Sequence, residues 1–305
     1  TQALTEHYKT LFDNDLSGLD ICVDPGNAAG IIALPNVLKG LGASVQTLYD
    51  DPTIKPERDL EPNEHTLGGL SEKVRQAEAD FGIATDGDAD RVVFVNGEGN
   101  VVPGSQPLAL LGERYVQRGE TGITASIDTS TYVEDVIKNS GGEVKWTPRG
   151  AVFTALTCLE NNLRWGGQPN GHYMDKDVVA YDSGSLIGTM FAGLVEEKNS
   201  SVRELQHALP EQYVENKVFR TTEKDQFMTH VKEEICNNSL CEVISDVDGI
   251  KARLKQHGCN AEFTIRPSGT DPVIRVTASS DNEQQTQDLL TTISREMTKI
   301  DQAHF

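Results

Sequence analysis

From residue 20 onward short apolar strands alternate with helical segments, and this alternation restricts the chain to layered α/β architectures. Residues 20–24 (DICVD) read as a strand, Pro25-Gly26-Asn27 as a turn, 31–41 as a helix stopped by Gly40 and Gly42, and 43–48 as a second strand. Such a strand–helix–strand unit predicts a parallel sheet covered by helices. Residues 50–62, rich in proline and charge, read as a loop, 70–80 as a helix, and 81–85 and 91–95 as strands. The rhythm restarts near Gly122: strand 123–127, helix 132–139, a stop at Ser140-Gly141-Gly142, strand 144–147, helix 151–161, a lead into a loop at 164–166, and an apolar helix at 185–198. Residues 196–201 and 209–216 read as linkers. From Lys217 the pattern changes to strand 218–220, helix 224–237, strands 250–254, 261–266 and 273–278, and a helix from Glu283. The expected fold class is α/β: two mixed α/β sheet domains, 1–117 and 118–214, followed by a C-terminal α+β domain, 215–305.

A length of 305 residues exceeds what one hydrophobic core organises, which agrees with two or three domains. With 27 basic and 47 acidic side chains the formal charge is 27 − 47 = −20. Repulsion then replaces counterion release, so nucleic acid is excluded as a partner, while a small anion in a local pocket is not. No apolar run is long enough to span a bilayer, and TQALTEHYKT lacks the basic start and apolar stretch of a signal peptide. The five cysteines, Cys22, Cys158, Cys236, Cys241 and Cys259, show no C-x-x-C spacing, so neither a disulfide framework nor a zinc site is expected, and a reducing cytoplasm fits best.

Three segments carry chemistry. Asp86-Gly87-Asp88-Ala89-Asp90-Arg91 follows the strand FGIAT, and three carboxylates at alternate positions of a tight loop suit a hard cation such as Mg²⁺ or Ca²⁺. Gly87 is expected to permit the sharp turn. An EF-hand needs Gly at the sixth position and Glu at the twelfth, where this loop has Arg91 and Gly97, so that reading is rejected; a solvated acidic turn stays open. Gly166-Gly167-Gln168-Pro169-Asn170-Gly171-His172 offers two amides to hydroxyls and a histidine for proton transfer, but by itself reads more readily as a plain surface turn. Arg266-Pro267-Ser268-Gly269-Thr270-Asp271-Pro272, with Arg275 beyond it, gathers backbone N–H groups, two hydroxyls and guanidinium groups that suit a phosphate; a rigid proline-flanked turn is the alternative.

Together and in this order, IATDGDADR, GGQPNGH and FTIRPSGTDPVIRV resemble the magnesium, sugar-recognition and phosphate loops of the α-D-phosphohexomutases, the phosphoglucomutases, phosphomannomutases and phosphoglucosamine mutases. The resemblance covers essentially the whole chain and implies the family's second, third and fourth domains. It implies Mg²⁺ held by Asp86, Asp88 and Asp90, with Arg91 and His172 as catalytic residues. It also implies a phosphorylated hexose bound by Gln168, Asn170, Arg266, Ser268, Gly269, Thr270 and Arg275. The family reaction interconverts hexose 1-phosphate and 6-phosphate through a phosphoserine and a bisphosphate intermediate, in monomers or dimers. The family's serine lies in a first-domain loop of the Thr-Ala-Ser-His-Asn-Pro type. Thr124-Ala125-Ser126 and Thr277-Ala278-Ser279 are continued differently and read as strand residues. The expectation is that the serine domain has been removed or left out and that this chain alone is inactive.

Two departures bear on the sugar. Gln168 and Asn170 stand where the family usually has Glu and Ser, and Gln replaces a pure acceptor by one acceptor and one donor group. Ala151 stands where a basic residue often contacts substrate, with Arg149 on its other side. A non-catalytic phosphosugar binder is therefore the alternative function. A metal-dependent phosphatase, which would need a nucleophilic Asp in DGDADR, is disfavoured by Arg91 and by the partner phosphate loop.

Overall fold

The structure, a computed structural model, describes residues 6–8, 15–221, 223–236, 240–255 and 261–304. Cys259, Asn237 and most of the N-terminal stretch read for a signal peptide lie outside the described residues, as does the side chain of Cys236. Cys22, Cys158 and Cys241 are free thiols.

The strand β1 (Asp20–Asp24) buries Ile21, Cys22 and Val23 and lies mid-sheet, parallel to both β2 (Ser44–Thr47) and β3 (Phe81–Thr85). β4 (Val92–Asn96) then folds back antiparallel on β3, giving the order β2-β1-β3-β4. The sheet is thus mixed where the first strand–helix–strand unit alone predicted a parallel one. The expected 31–41 helix divides into a 3₁₀ turn, Ala29–Ile31, and α1 (Leu34–Gly40), whose Pro35 sits in the first turn where its missing N–H is not needed. α2 (Gly68–Ala77) ends at Glu78, which adopts a left-handed φ of 50°.

A second sheet repeats the plan, with β5 (Gly122–Ser126), β6 (Glu143–Thr147), β7 (Trp165–Gly167) and β8 (Tyr173–Asp175) in the order β6-β5-β7-β8. β5 and β7 are parallel and β7 and β8 antiparallel, as β1, β3 and β4 are in the first sheet. The restart of the rhythm near Gly122 is therefore a structural repeat. The short strand β7 begins at Trp165 where only a lead into a loop was expected, so the GGQPNGH segment spans the turn of a β-hairpin.

Helices α3 (Ser105–Gln117), α4 (Tyr132–Asn139), α5 (Ala151–Glu160), α6 (Gly184–Lys198) and α7 (Val202–His207) follow in chain order. α6 is buried from Gly184 to Val195, and its Phe191 ring lies 4.1 Å from Phe94 and 6.0 Å from Phe81. Gly188 brings its backbone onto Leu34 and Ile83. Trp165 stacks between Tyr115 and Tyr173, and its indole N–H donates to the Leu108 carbonyl at 3.1 Å. The segment 196–201, read as a linker, holds the end of α6, the left-handed cap Asn199 and Ser201, which opens α7 with a capping box.

The C-terminal region forms an antiparallel sheet in the order β10-β11-β12-β13-β9, from β9 (Tyr213–Arg220), β10 (Cys241–Ser245), β11 (Ile250–Leu254), β12 (Glu262–Pro267) and β13 (Val273–Ser280). α8 (Lys224–Cys236) and α9 (Glu283–His304) cover it through a core that includes Phe227, Val231, Ile274, Val276 and Met297. The second expected linker, 209–216, is corrected: from Tyr213 it is β9, paired along its length with β13.

Contacts divide the chain into two units. One holds Thr1–Ala125, Val133–Lys145 and Gly150–Leu209; the other holds Ser126–Tyr132, Trp146–Arg149 and Pro210–Phe305. Among the described residues no helix is long and apolar enough to cross a membrane.

Candidate functional site

The turn between β3 and β4 carries the three aspartates. Asp86 is buried, Asp90 half-buried and Asp88 exposed, and one carboxylate oxygen of each lies within 4.8 Å of the others. The left-handed residue of this turn is Ala89, with φ 63°, rather than Gly87. Gly87 instead gives room: a Cβ there would come 3.1 Å from Leu60. Arg91 folds back on its own loop, its backbone N–H donating to Asp86 at 3.2 Å and its Nε at 2.7 Å, while Nη1 pairs with Glu61. Burial would raise Asp86, but Arg91 outweighs it and holds the carboxyl below its usual range. Asp90 is pushed up to about 6 by burial and by the charges of Asp86 and Asp88, with His172 opposing. Its Oδ1 is buried without a hydrogen-bond partner. An all-oxygen donor set with crowded negative charge and an unsatisfied carboxylate oxygen fits a hard divalent cation.

The β7–β8 hairpin belongs to the same unit and is clipped to this loop. Arg91 and His172 form an antiparallel bridge, and the Val92 N–H donates to the Gly171 carbonyl at 3.0 Å. Gly171 has φ 97°, and a Cβ there would lie 2.7 Å from the Val92 carbonyl oxygen, so glycine is required for the approach. His172 Nδ1 lies 2.8 Å from Asp182 Oδ2 and 3.8 Å from Asp90 Oδ1. The first is a close polar contact without hydrogen-bond alignment. Asp182 sits two residues before α6, whose first residue, Gly184, donates its N–H to the Ala89 carbonyl at 2.9 Å. Gln168 is buried: its Oε1 accepts from the Gly150 N–H at 3.0 Å and its Nε2 has no partner. Asn170 Oδ1 is likewise buried and unpartnered.

The third loop belongs to the other unit and joins β12 to β13, where Arg266 and Arg275 are direct cross-strand partners. Ser268 is buried while Gly269 and Thr270 are exposed, and a Cβ on Gly269 would meet open space. The Asp271 carboxylate gathers Thr270 Oγ1 at 3.1 Å, Arg275 Nη2 at 3.3 Å and Ser268 Oγ at 3.4 Å. Lys224 braces the loop through the carbonyls of Ser268 and Asp271, at 2.6 and 3.0 Å. Arg266 is only 8% exposed, and no ion pair or hydrogen bond engages its guanidinium among the described residues. Burial lowers its pKa, Arg149 and Arg275 push the same way, and Asp128 and Asp248 oppose them.

Residues 2–99 match the family model for phosphoglucomutase/phosphomannomutase α/β/α domain II, and residues 103–213 match domain III. The chain belongs to the phosphoglucomutase/phosphomannomutase family. It is 32% identical over 294 residues to a probable phosphoglucosamine mutase of Methanopyrus kandleri, covering 94% of this chain and 64% of that protein. It is 31% identical over 272 residues to a phosphoglucomutase/phosphomannomutase of Thermococcus kodakarensis, covering 88% and 59%. The chain thus spans about three fifths of the length of these relatives. Its fold is similar to that of a phosphoglucomutase/phosphomannomutase family protein from Burkholderia thailandensis, with a TM-score of 0.83 at 18% identity, covering 98% of this chain and 65% of that one. It is also similar to an Aspergillus fumigatus N-acetylphosphoglucosamine mutase solved with GlcNAc-6P and magnesium, with a TM-score of 0.66 at 14% identity, covering 95% and 69%. The mixed α/β sheets in several domains are those of the phosphohexomutases.

In this family member the structure adds residues that sequence reading missed. Asp182 contacts the histidine and Glu61 holds Arg91. Arg58 binds the buried Asp24 through Nε at 2.8 Å and Nη2 at 3.1 Å, and the Thr85 carbonyl at 2.8 Å, which ties the 50–62 loop to the strand ends beside the aspartates. Only the acid–arginine composition of residues 57–61 (ERDLE) hinted at this; nothing in the sequence paired Asp182 with His172.

Proposed function

We propose that this chain is the metal-, sugar- and phosphate-binding part of a phosphohexomutase, which interconverts hexose 1-phosphate and hexose 6-phosphate through a phosphoserine supplied by a residue other than these 305. The domain division 1–117, 118–214 and 215–305 is part of this reading. The observation that carries it is the convergence, within one unit, of Asp86, Asp88 and Asp90 with Arg91 and His172, residues separated by more than 80 positions and joined by backbone pairing. The same assignment draws support from relatives named as phosphohexomutases over most of this chain.

In this reading Asp86, Asp88 and Asp90 hold Mg²⁺. When bound, the ion would neutralise charge on the phosphoryl group being transferred. Arg91, fixed by Asp86 and Glu61, presents a guanidinium at the edge of that cluster. His172 keeps one ring nitrogen against Asp182, leaving Nε2 to exchange a proton with a sugar hydroxyl. Arg266, buried and without a protein partner, binds a phosphate together with Ser268, Gly269, Thr270 and Arg275, and supplies binding energy remote from the reacting atoms. Gln168 and Asn170 present their unpartnered buried amide atoms to the sugar.

A second reading, a phosphosugar binder without turnover, is favoured by one observation: the Gln168 carbonyl oxygen is already engaged by the Gly150 N–H. Calorimetry on the 305-residue chain with Mg²⁺, comparing inorganic phosphate with glucose, mannose and glucosamine 1-phosphates, tests both. Tighter binding of one hexose phosphate than of inorganic phosphate, with no turnover in a coupled assay, is expected. Equal affinity for all four ligands would favour the binder, and sustained turnover by this chain would overturn the requirement for an added serine.

A further inference from the structure

Arg149 comes from the turn after β6, yet it belongs to the same unit as the β12–β13 loop. Its backbone N–H donates to Asp248 Oδ2 at 3.3 Å. The next residue, Gly249, has φ 141° and lies so close to Arg266 that a Cβ on it would stand 2.8 Å from Arg266 Cβ and 3.0 Å from Arg266 Cα. Asp248 and Gly249 therefore link the backbone of Arg149 to that of Arg266. On the side-chain side, Asp128 Oδ2 approaches Arg149 Nε at 3.4 Å, and Ser126 Oγ holds the other Asp128 oxygen at 2.5 Å. Neither Nη1 nor Nη2 of Arg149 makes a hydrogen bond among the described residues, and the side chain is 40% exposed.

We propose that Arg149 is a third phosphate-binding guanidinium of this site, joining Arg266 and Arg275 and held by Asp128 and Asp248; the proposal rests on the phosphate-binding reading of the Arg266 loop. Arg266 is buried with no ion pair or hydrogen bond of its own among the described residues, and Asp128 and Asp248 oppose the repulsion from Arg149 without engaging the Arg266 guanidinium, so an anion that bridges the two arginines would supply the missing acceptors. The proximity is independently visible in the downward push that Arg149 exerts on Arg266. A phosphate monoester satisfies both forks, since each guanidinium can donate two parallel hydrogen bonds to its oxygens. Asp128 orients rather than neutralises: at 3.4 Å it holds Nε loosely and leaves the Nη end available. Because Arg149 would contact phosphate and not sugar, its loss should weaken every phosphorylated ligand alike.

The test is calorimetry with the full 305-residue chain at fixed low ionic strength, using inorganic phosphate and glucose 6-phosphate as probes. Arg149→Ala should weaken both by about tenfold. Arg149→Lys should recover part of the loss, because a point charge replaces a fork. Arg266→Ala should weaken both at least as much. Thermal melts serve as the folding control, and should any variant be unfolded, Asp128→Asn replaces it, with an expected smaller loss for both probes. If Arg266→Ala weakens binding while Arg149→Ala leaves both affinities unchanged, the inference fails and the phosphate-loop reading stands. If Arg149→Ala weakens glucose 6-phosphate alone, Arg149 reads sugar and the proposal is overturned. If the unaltered chain binds neither probe, or Arg266→Ala has no effect, the underlying reading and the proposal fall together.

Discussion

Replacing Asp90 by asparagine removes one of three carboxylates that repel each other on a six-residue turn, while leaving the side chain's size unchanged. The burial and like charges that push Asp90 up to about 6 are a cost of holding this turn without a cation. Asp90→Asn is therefore expected to stabilise the metal-free protein by about 1 kcal/mol, a rise of a few degrees in Tm. The same change should abolish the further rise that added Mg²⁺ gives the unaltered protein. Differential scanning calorimetry with EDTA and then with Mg²⁺ reads both effects, and a drop in Tm without metal would refute the electrostatic account. At this scale the sequence was informative where chemistry is local. The alternate spacing of Asp86, Asp88 and Asp90 suited a shared cation while leaving a solvated acidic turn open, and one oxygen of each lies within 4.8 Å of the others. It was uninformative for Asp182 and Glu61, because their partners are His172 and Arg91, reached only through the backbone pairing of residues 91–92 with 171–172.

Among the elements, α3 was left unassigned; its start is surrounded by Pro103, Gly104 and Pro107, residue types that ordinarily mark turns. Pro107 is the third residue of α3, where a missing N–H breaks no hydrogen bond. β9 and β10 were shortened and missed because they are the edges of their sheet, β9 largely exposed and β10 at best half-buried, which erases the period-two signal. The strands that flank the aspartates were legible because they are apolar and short. α3 and α6 are clasped by Glu197, which accepts from the buried Arg114 at 2.7 Å and from Arg118 at 2.9 Å. Burial would raise the Glu197 pKa, but the two arginines outweigh it and lower it. A depressed carboxyl contributes stability above its unfolded pKa and loses it as the pH falls through its folded value. Glu197→Gln should accordingly destabilise the protein by about 1–2 kcal/mol at neutral pH, since Arg114 stays buried without its counter-ion. The difference from the unaltered protein should shrink only as the pH falls below the ordinary carboxylate range and through the depressed folded value, where both would carry an uncharged side chain. Urea unfolding at several pH values measures this, and a difference that persists unchanged into acid would count against the ion pair.

For the molecule as a whole, length and rhythm led to an expected division at 117 and 214, whereas contacts divide the chain into two units with other limits. A net charge of −20 says nothing of which segments pack together, and loops that leave one sheet to join another core carry no compositional mark. Ser126–Tyr132 and Trp146–Arg149 are such loops.

Lys251 depends on both of these loops. It is 2% exposed, its ammonium donates to the carbonyls of Thr129 at 2.6 Å and Ile127 at 3.3 Å, and it lies 5.1 Å from the centre of the Trp146 ring. Nearby, the buried Glu262 accepts from the Thr131 N–H at 2.9 Å. A fragment cut before Pro210 would keep every strand of the antiparallel sheet and still lose these acceptors and this donor. It should melt earlier and less cooperatively than the same segment within the chain, and Lys251→Met should recover part of the loss in the fragment by deleting a buried ammonium. Circular dichroism melts of residues 210–305 with and without that substitution would show it; a cooperative melt at the parent temperature would argue that the segment is self-sufficient. The boundary that suits an expression vector is therefore not the one this protein's electrostatics recognises, and any attempt to transplant its β12–β13 loop must bring along two short segments from upstream in the chain.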